Sequence, residues 1–177
     1  LTTNIKRAID NGAVAAYIQG GIGDKWVKNN RLDLIEKTIE FIKQNGIPAG
    51  IGAHSIEVPI ACEKVGIETD FYMKTLHHGN YWSVTPKEER IEWNVDSFGP
   101  DDHDNIWALD PERTIEFMKT VDKPWIAFKT LAAGAIHPSE GFKYAFYNGA
   151  DYICAGMFDF QVTEDVMIAK DVLSKGN

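Results

Sequence analysis

Apolar residues along the chain alternate between two rhythms, short continuous runs and stretches repeating every three or four residues. Thr3 to Asn11 has the second rhythm and closes at Asn11-Gly12, which predicts a helix end. Ala13-Val14-Ala15-Ala16-Tyr17-Ile18-Gln19 is short and apolar and ends at Gly20-Gly21, the pattern of a buried parallel strand running into a loop. Leu32 to Gln44 carries Leu32, Ile35, Ile39 and Ile42 at helical spacing and stops at Asn45-Gly46. A strand follows over Pro48 to Ala53, a short helix over Val58 to Val65, and a strand over Asp70 to Leu76. From His77 to Leu109 no period is visible. Pro111 opens a helix through Lys119 with Asp110 as its cap. Then come a strand over Pro124 to Thr130, a helix over Pro138 to Tyr147, a strand over Asp151 to Ala155 and a helix from Thr163 to Ser174, capped at or near Thr163.

Strand followed by helix, five times over, demands a parallel sheet with helices outside it. An open doubly wound sheet is one solution and a (β/α)8 TIM barrel the other. Small residues at Gly50, Gly52 and Ala127 favour the barrel, whose interior is tight. A full barrel needs eight strands, so about three units are expected ahead of Leu1. The expectation is one partial barrel domain over residues 1–177, with a long βα loop at 77–109.

Barrel enzymes place their chemistry at the carboxyl ends of the strands. If the large apolar side chains Phe71, Met73, Ile126 and Phe128 face outer helices, then Tyr72, Lys74, Ala127 and Lys129 face inward. By the same rule Gln19, Gly52, His54 and Cys154 point in. Polar groups inside short apolar strands are costly unless they are paired. Two lysines at similar depth on neighbouring strands repel each other, and a lysine held neutral is a nucleophile for carbonyl carbons. The alternative is that each lysine pairs with an acid from strands outside this chain.

Asp70-Phe71-Tyr72-Met73-Lys74-Thr75 resembles the Schiff-base strand of deoxyribose-phosphate-type class I aldolases. Lys129-Thr130-Leu131-Ala132-Ala133-Gly134-Ala135-Ile136 resembles the strand that follows it in those enzymes. The resemblance implies that Lys74 forms the Schiff base and that Lys129 lowers its pKa, with no cofactor. It departs from the family in the segment from His77 to Leu109, where those aldolases have a short turn. The wider chain is also similar to uncharacterised barrel proteins, which lend it no activity.

The glycines at Gly134 and Gly156 resemble the phosphate-binding turns of many barrels, in which backbone N–H groups face an anion. Asp159 and Phe158 beside the second turn oppose that reading, and tight packing of strand on helix is the alternative. His54, His77 and Asp159, each at a strand end, form a second constellation. Imidazole and carboxylate suit Zn²⁺ or a similar divalent ion, and the order is similar to that of metal-dependent amidohydrolase barrels. Gln19 stands where that family carries a carboxylated lysine. His137, before Pro138, reads as a loop residue.

The segment 77–109 holds Tyr81, Trp82, Trp93, Phe98 and Trp107 among Asp96, Asp101, Asp102, His103 and Asp104. A loop this long is usually functional. Its aromatics, Trp82 among them, suit a roof over bound substrate or an interface between copies of the chain. The acids could bind a cation or serve as solvated turns. Gly20-Gly21-Ile22-Gly23 is too isolated to signal a dinucleotide site.

Composition narrows the partners. The 177 residues are 44% hydrophobic with a net charge of −8. That charge argues against nucleic acid and anionic membranes as partners. No apolar run approaches the ~20 residues of a membrane span. Cys62 and Cys154 sit in apolar stretches and read as buried thiols, in keeping with a cytoplasmic protein. The leading expectation is a carbon–carbon lyase or related carbonyl enzyme using Lys74 or Lys129, with His54 or His77 moving protons and Gln19, Gly134, Gly156 and Trp82 contacting a small-molecule substrate. A metal-dependent hydrolase or isomerase comes second, and a non-catalytic binding barrel third.

Overall fold

The computed structural model describes residues 2–91 and 108–176. Its elements are α1 (Thr2–Asp10), β1 (Ala16–Ile18), α2 (Gly20–Lys28), α3 (Leu32–Gln44), β2 (Ala49–Ala53), α4 (Glu57–Val65), β3 (Phe71–Thr75), α5 (Pro111–Met118), β4 (Trp125–Phe128), α6 (Pro138–Tyr147), β5 (Tyr152–Cys154) and α7 (Val162–Lys175). The strands form one parallel sheet in the order β1-β2-β3-β4-β5. The protein is therefore α/β, and its strands succeed one another across the sheet without a reversal. A doubly wound sheet reverses its strand order at a switch point; this one does not.

Most boundaries fall within a residue or two of those read from the periodicity. Asp110 caps α5 as expected, accepting from Arg113 N at 3.1 Å. The closing helix differs, because Thr163 does not cap it and a short 3₁₀ turn over Asp159–Gln161 leads straight into α7. The larger difference is α2. Glycines argue for a loop after β1, yet Gly20 to Lys28 is helical. The reason is packing against β2. A Cβ on Gly23 would stand 2.6 Å from Gly52 O, and one on Gly20 would stand 3.0 Å from His54 Cε1. The absent side chains let the helix lie directly on the strand, a gain that outweighs the ~1 kcal/mol by which glycine disfavours a helix.

Strand parity is the second difference. Residues opposite one another in a parallel pair share a face. Ile51, Tyr72 and Trp125 are in register, as are Ala53, Lys74, Ala127 and Ile153. These residues, not Phe71, Met73, Ile126 and Phe128, lie beneath the helices. Ile51, Ala53, Tyr72, Trp125 and Ala127 are buried in one core with Ile35, Ile39 and Ile42 of α3 and Cys62 of α4. The buried Tyr72 explains the inversion. Its ring goes under α4, where the phenol donates to Glu63 Oε1 at 2.6 Å and Lys123 pairs with the same carboxylate. Burial pushes the Glu63 carboxyl up, but hydrogen bonds from Lys123 and Tyr72 outweigh it and hold the pKa below its ordinary value. The opposite face is half-open, with Tyr17 and Tyr152 47% and 60% exposed. Gly50 on that face leaves room for the Phe71 ring, which a Cβ would meet at 2.3 Å. Cys154 is exposed, against the expectation of a buried thiol, whereas Cys62 is buried and its thiol is pushed up to about 12 by burial, with Glu63 adding to the shift.

The amino ends of the strands are tied by aspartates. Asp70, before β3, accepts from Ala49 N of β2 at 2.8 Å, and Asp151, before β5, accepts from Trp125 N of β4 at 2.8 Å.

Candidate functional site

Among the described residues, two cavities lie at the carboxyl ends of the strands. The first, of about 750 Å³, is lined by His54 after β2, Lys74 of β3, the start of α4, the first turn of α5, Tyr144 of α6 and residues of the loop after β3. The second, of about 850 Å³, lies over β4 and β5 and is lined by Lys129, Thr130, Gly134, Cys154, Gly156 and Asp165 among others. The two lysines thus line different cavities.

Lys74 is 2% exposed. Its stem starts on the helix-covered face and its Nζ donates to Thr75 Oγ1 at 2.7 Å and Thr75 O at 3.1 Å. Thr75 Oγ1 in turn donates to the carbonyl of His54 at 3.2 Å. His54 is held from the other side by Asp24 of α2. The carboxylate lies 2.7 Å from His54 Nδ1 and accepts the backbone N–H of His54 and of Ser55, each at 3.0 Å. An ionised carboxylate only accepts, so Nδ1 carries the proton in this bond. The His54 ring meets Phe128 edge-on, with centroids 5.5 Å apart. Neither Asp24 nor Thr75 stood out in the sequence. Asp24 is a lone acid in a glycine-rich stretch, and only the helical course of α2 brings it to a strand two elements away.

His77 is 3% exposed and differs in kind from His54. Its Nδ1 is 3.0 Å from His78 O, and its buried Nε2 has no hydrogen-bond partner among the described residues. Burial, with repulsion from His78, Lys74 and Arg90, pushes its pKa down to about 4 against the opposing pull of the His78 carbonyl. A neutral imidazole with so little affinity for a proton is a weak proton carrier near neutral pH. His78 lies beside it, with Nε2 3.1 Å from Glu140 Oε1 and the ring edge-on to Tyr144.

Gln19, expected as a substrate contact, lines neither of these two cavities. It caps α2, its Oε1 accepting from Ile22 N at 3.2 Å. Trp82 is 88% exposed and lines neither cavity. Asp159 opens the 3₁₀ turn after β5 and accepts from Phe160 N at 2.9 Å. Among the described residues no group of three His, Cys, Asp or Glu side chains converges as an ion would require. His54, His77 and Asp159 therefore do not form one ligand set, because Asp159 stands beyond β5 at the second cavity's end of the sheet. Trp93, Asp96, Phe98, Asp101, Asp102, His103, Asp104 and Trp107 lie outside the described residues, and with them the expected cation cluster and most of the expected aromatic roof or interface.

The second cavity is bounded by an unusual turn. Lys129, Ala132 and Ala133 have φ of 59°, 44° and 56°, and Gly134 has φ of 89°. Left-handed backbone costs a non-glycine residue roughly 1–2 kcal/mol, and such strain concentrates at functional segments. Thr130 is buried here, and its Oγ1 has no hydrogen-bond partner among the described residues. A Cβ on Gly134 or Gly156 would meet nothing, so both glycines leave space at the cavity wall.

Compared with known proteins, the chain matches no family model and no curated sequence. No helix among the described residues is long and apolar enough to cross a membrane.

Proposed function

We propose that the chain is a wall of a (β/α)8 barrel that acts on a small carbonyl compound through a Schiff base on Lys74, with His54 moving protons. The observation that carries this reading is that the buried amine of Lys74 and the carboxylate-held imidazole of His54 line one cavity at the ends of adjacent strands. A lysine amine is the nucleophile from which a Schiff base with a carbonyl compound is built. The unreversed strand order and the half-open second face support the barrel, whose interior that face would line.

The chemistry balances as a retro-aldol cleavage. The Lys74 amine adds to the carbonyl carbon, and loss of water gives an iminium. His54 takes the proton of the substrate's β-hydroxyl as the adjoining carbon–carbon bond breaks. The bonding pair moves toward the iminium nitrogen, leaving an enamine and a free aldehyde or ketone. The enamine carbon regains the proton, and water releases the product from Lys74. Lys129 with Gly134 and Gly156 offers the second cavity to an anionic group, which supports a phosphorylated substrate as a variant of the same reading.

Borohydride reduction in the presence of small aldehydes and ketones tests it. The expected result is a stable adduct on the peptide carrying Lys74, lost in Lys74→Met. An adduct confined to Lys129, or none with any compound of the panel, would sink the reading.

A further inference from the structure

The glycine-rich stretch after β1 has a purpose that neither a dinucleotide site nor a loop explains. Gly20 and Gly23 let α2 settle on β2, and the residue one step further, Asp24, then reaches the end of that strand. Its carboxylate is almost fully enclosed, with its side chain 12% exposed, and three groups meet it there: His54 Nδ1 and the N–H groups of His54 and Ser55. A helix cap or a surface ion pair would not need the ring nitrogen. With the two backbone donors fixing the carboxylate, the imidazole has one orientation and one tautomer.

We infer that Asp24 is the positioning residue of this site: it holds His54 with Nδ1 protonated, so that Nε2 is the atom that exchanges protons with a carbonyl compound bound at Lys74. The inference rests on the Schiff-base reading above. A buried carboxylate on one ring nitrogen fixes the tautomer and stabilises the imidazolium formed when the other nitrogen accepts a proton. Asp24 itself touches no substrate atom. The proton taken by Nε2 from the α-carbon of a Lys74 iminium leaves the electron pair in an enamine, and its return to that carbon restores the iminium. The site can therefore exchange α-hydrogens of a ketone with solvent even when no carbon–carbon bond breaks.

Two measurements on the full chain test this separately from the Schiff base. Nitrogen-15 NMR of the wild type reads the tautomer without any ligand; the expected signal is an Nδ1–H imidazole at His54, and an Nε2–H tautomer overturns the inference. Acetone in deuterium oxide then reads proton transfer, while borohydride trapping of acetone reads imine formation. Asp24→Asn is expected to lose about 100-fold in deuterium exchange, the scale of a general-base contribution, while trapping at Lys74 stays within about 3-fold, and Asp24→Glu is expected to recover part of the exchange. Undiminished exchange in Asp24→Asn, or exchange and trapping lost in step, overturns the role of Asp24 and leaves Lys74 standing. Absence of trapping in the wild type overturns the Schiff-base reading instead.

Discussion

Replacing His77 with asparagine should make the protein markedly less sensitive to acid. In the folded state the imidazole is buried beside Lys74, Arg90 and His78, and its pKa falls to about 4 from an ordinary 6.5. The folded pKa is the lower one, so on acidification the unfolded chain binds the proton first. The stability linked to His77 is complete above pH 6.5 and drains away as the pH falls toward 4. At pH 5 the unfolded state is almost fully protonated at this position and the folded state hardly at all. The linkage integral then gives a loss of about 2 kcal/mol relative to pH 8, rising to about 3 kcal/mol below pH 4. Asparagine can keep the donation to His78 O with its side-chain amide and carries no proton to titrate. Urea unfolding at pH 8 and pH 5 is the assay. The drop in unfolding free energy between the two should be smaller by about 2 kcal/mol in His77→Asn. Equal drops in wild type and variant would refute the account, as would an NMR titration placing His77 near 6.5.

Other perturbations follow from the same contacts. Tyr72→Phe removes the phenol donation to Glu63 and should cost about 1–2 kcal/mol in denaturant unfolding. Ala133→Gly should stabilise the protein by about 0.5–1 kcal/mol, since glycine relieves the left-handed φ at that position while adding freedom to the unfolded chain; a lower melting temperature would contradict this. In a thiol-reagent assay at neutral pH only Cys154 should react in the native state, with Cys62 following on denaturation, because Cys62 is buried with its thiol pushed up to about 12. Asp151→Ala should cost about 1–2 kcal/mol by leaving Trp125 N–H without its acceptor.

The parallel sheet was legible because its strands are short apolar runs and its helices carry a strong period with Asn-Gly or Pro at their ends. Asp110 and Pro111 show how much two residues can say about a helix start. What escaped was whatever depended on contact between distant segments. Gly20 and Gly23 look like breakers in isolation, and their value appears only against Gly52 O. Tyr72 and Phe71 are both large and apolar, so size could not tell which goes beneath the helices; the acceptor on Glu63 and the space over Gly50 decide it. His54 and Lys74 were visible as polar strand ends, but the partner of each was not. Asp24 lies thirty residues before His54, and Thr75, the neighbour of Lys74, has a hydroxyl like any other until it bridges to the His54 carbonyl.

The aspartates that precede β3 and β5 bear on how such a sheet can change over time. Each ties the first amide of the neighbouring strand, so a slip of one residue within that pair would break the bond and turn every side chain on the strand to the wrong face. With alignment secured at the amino ends, the opposite rim is released from any part in keeping the strands in step. Loops there can lengthen, strained turns can form and side chains can be exchanged while the framework stays put. New specificities can therefore be explored at His54, Lys74 and Lys129 without renegotiating the fold beneath them.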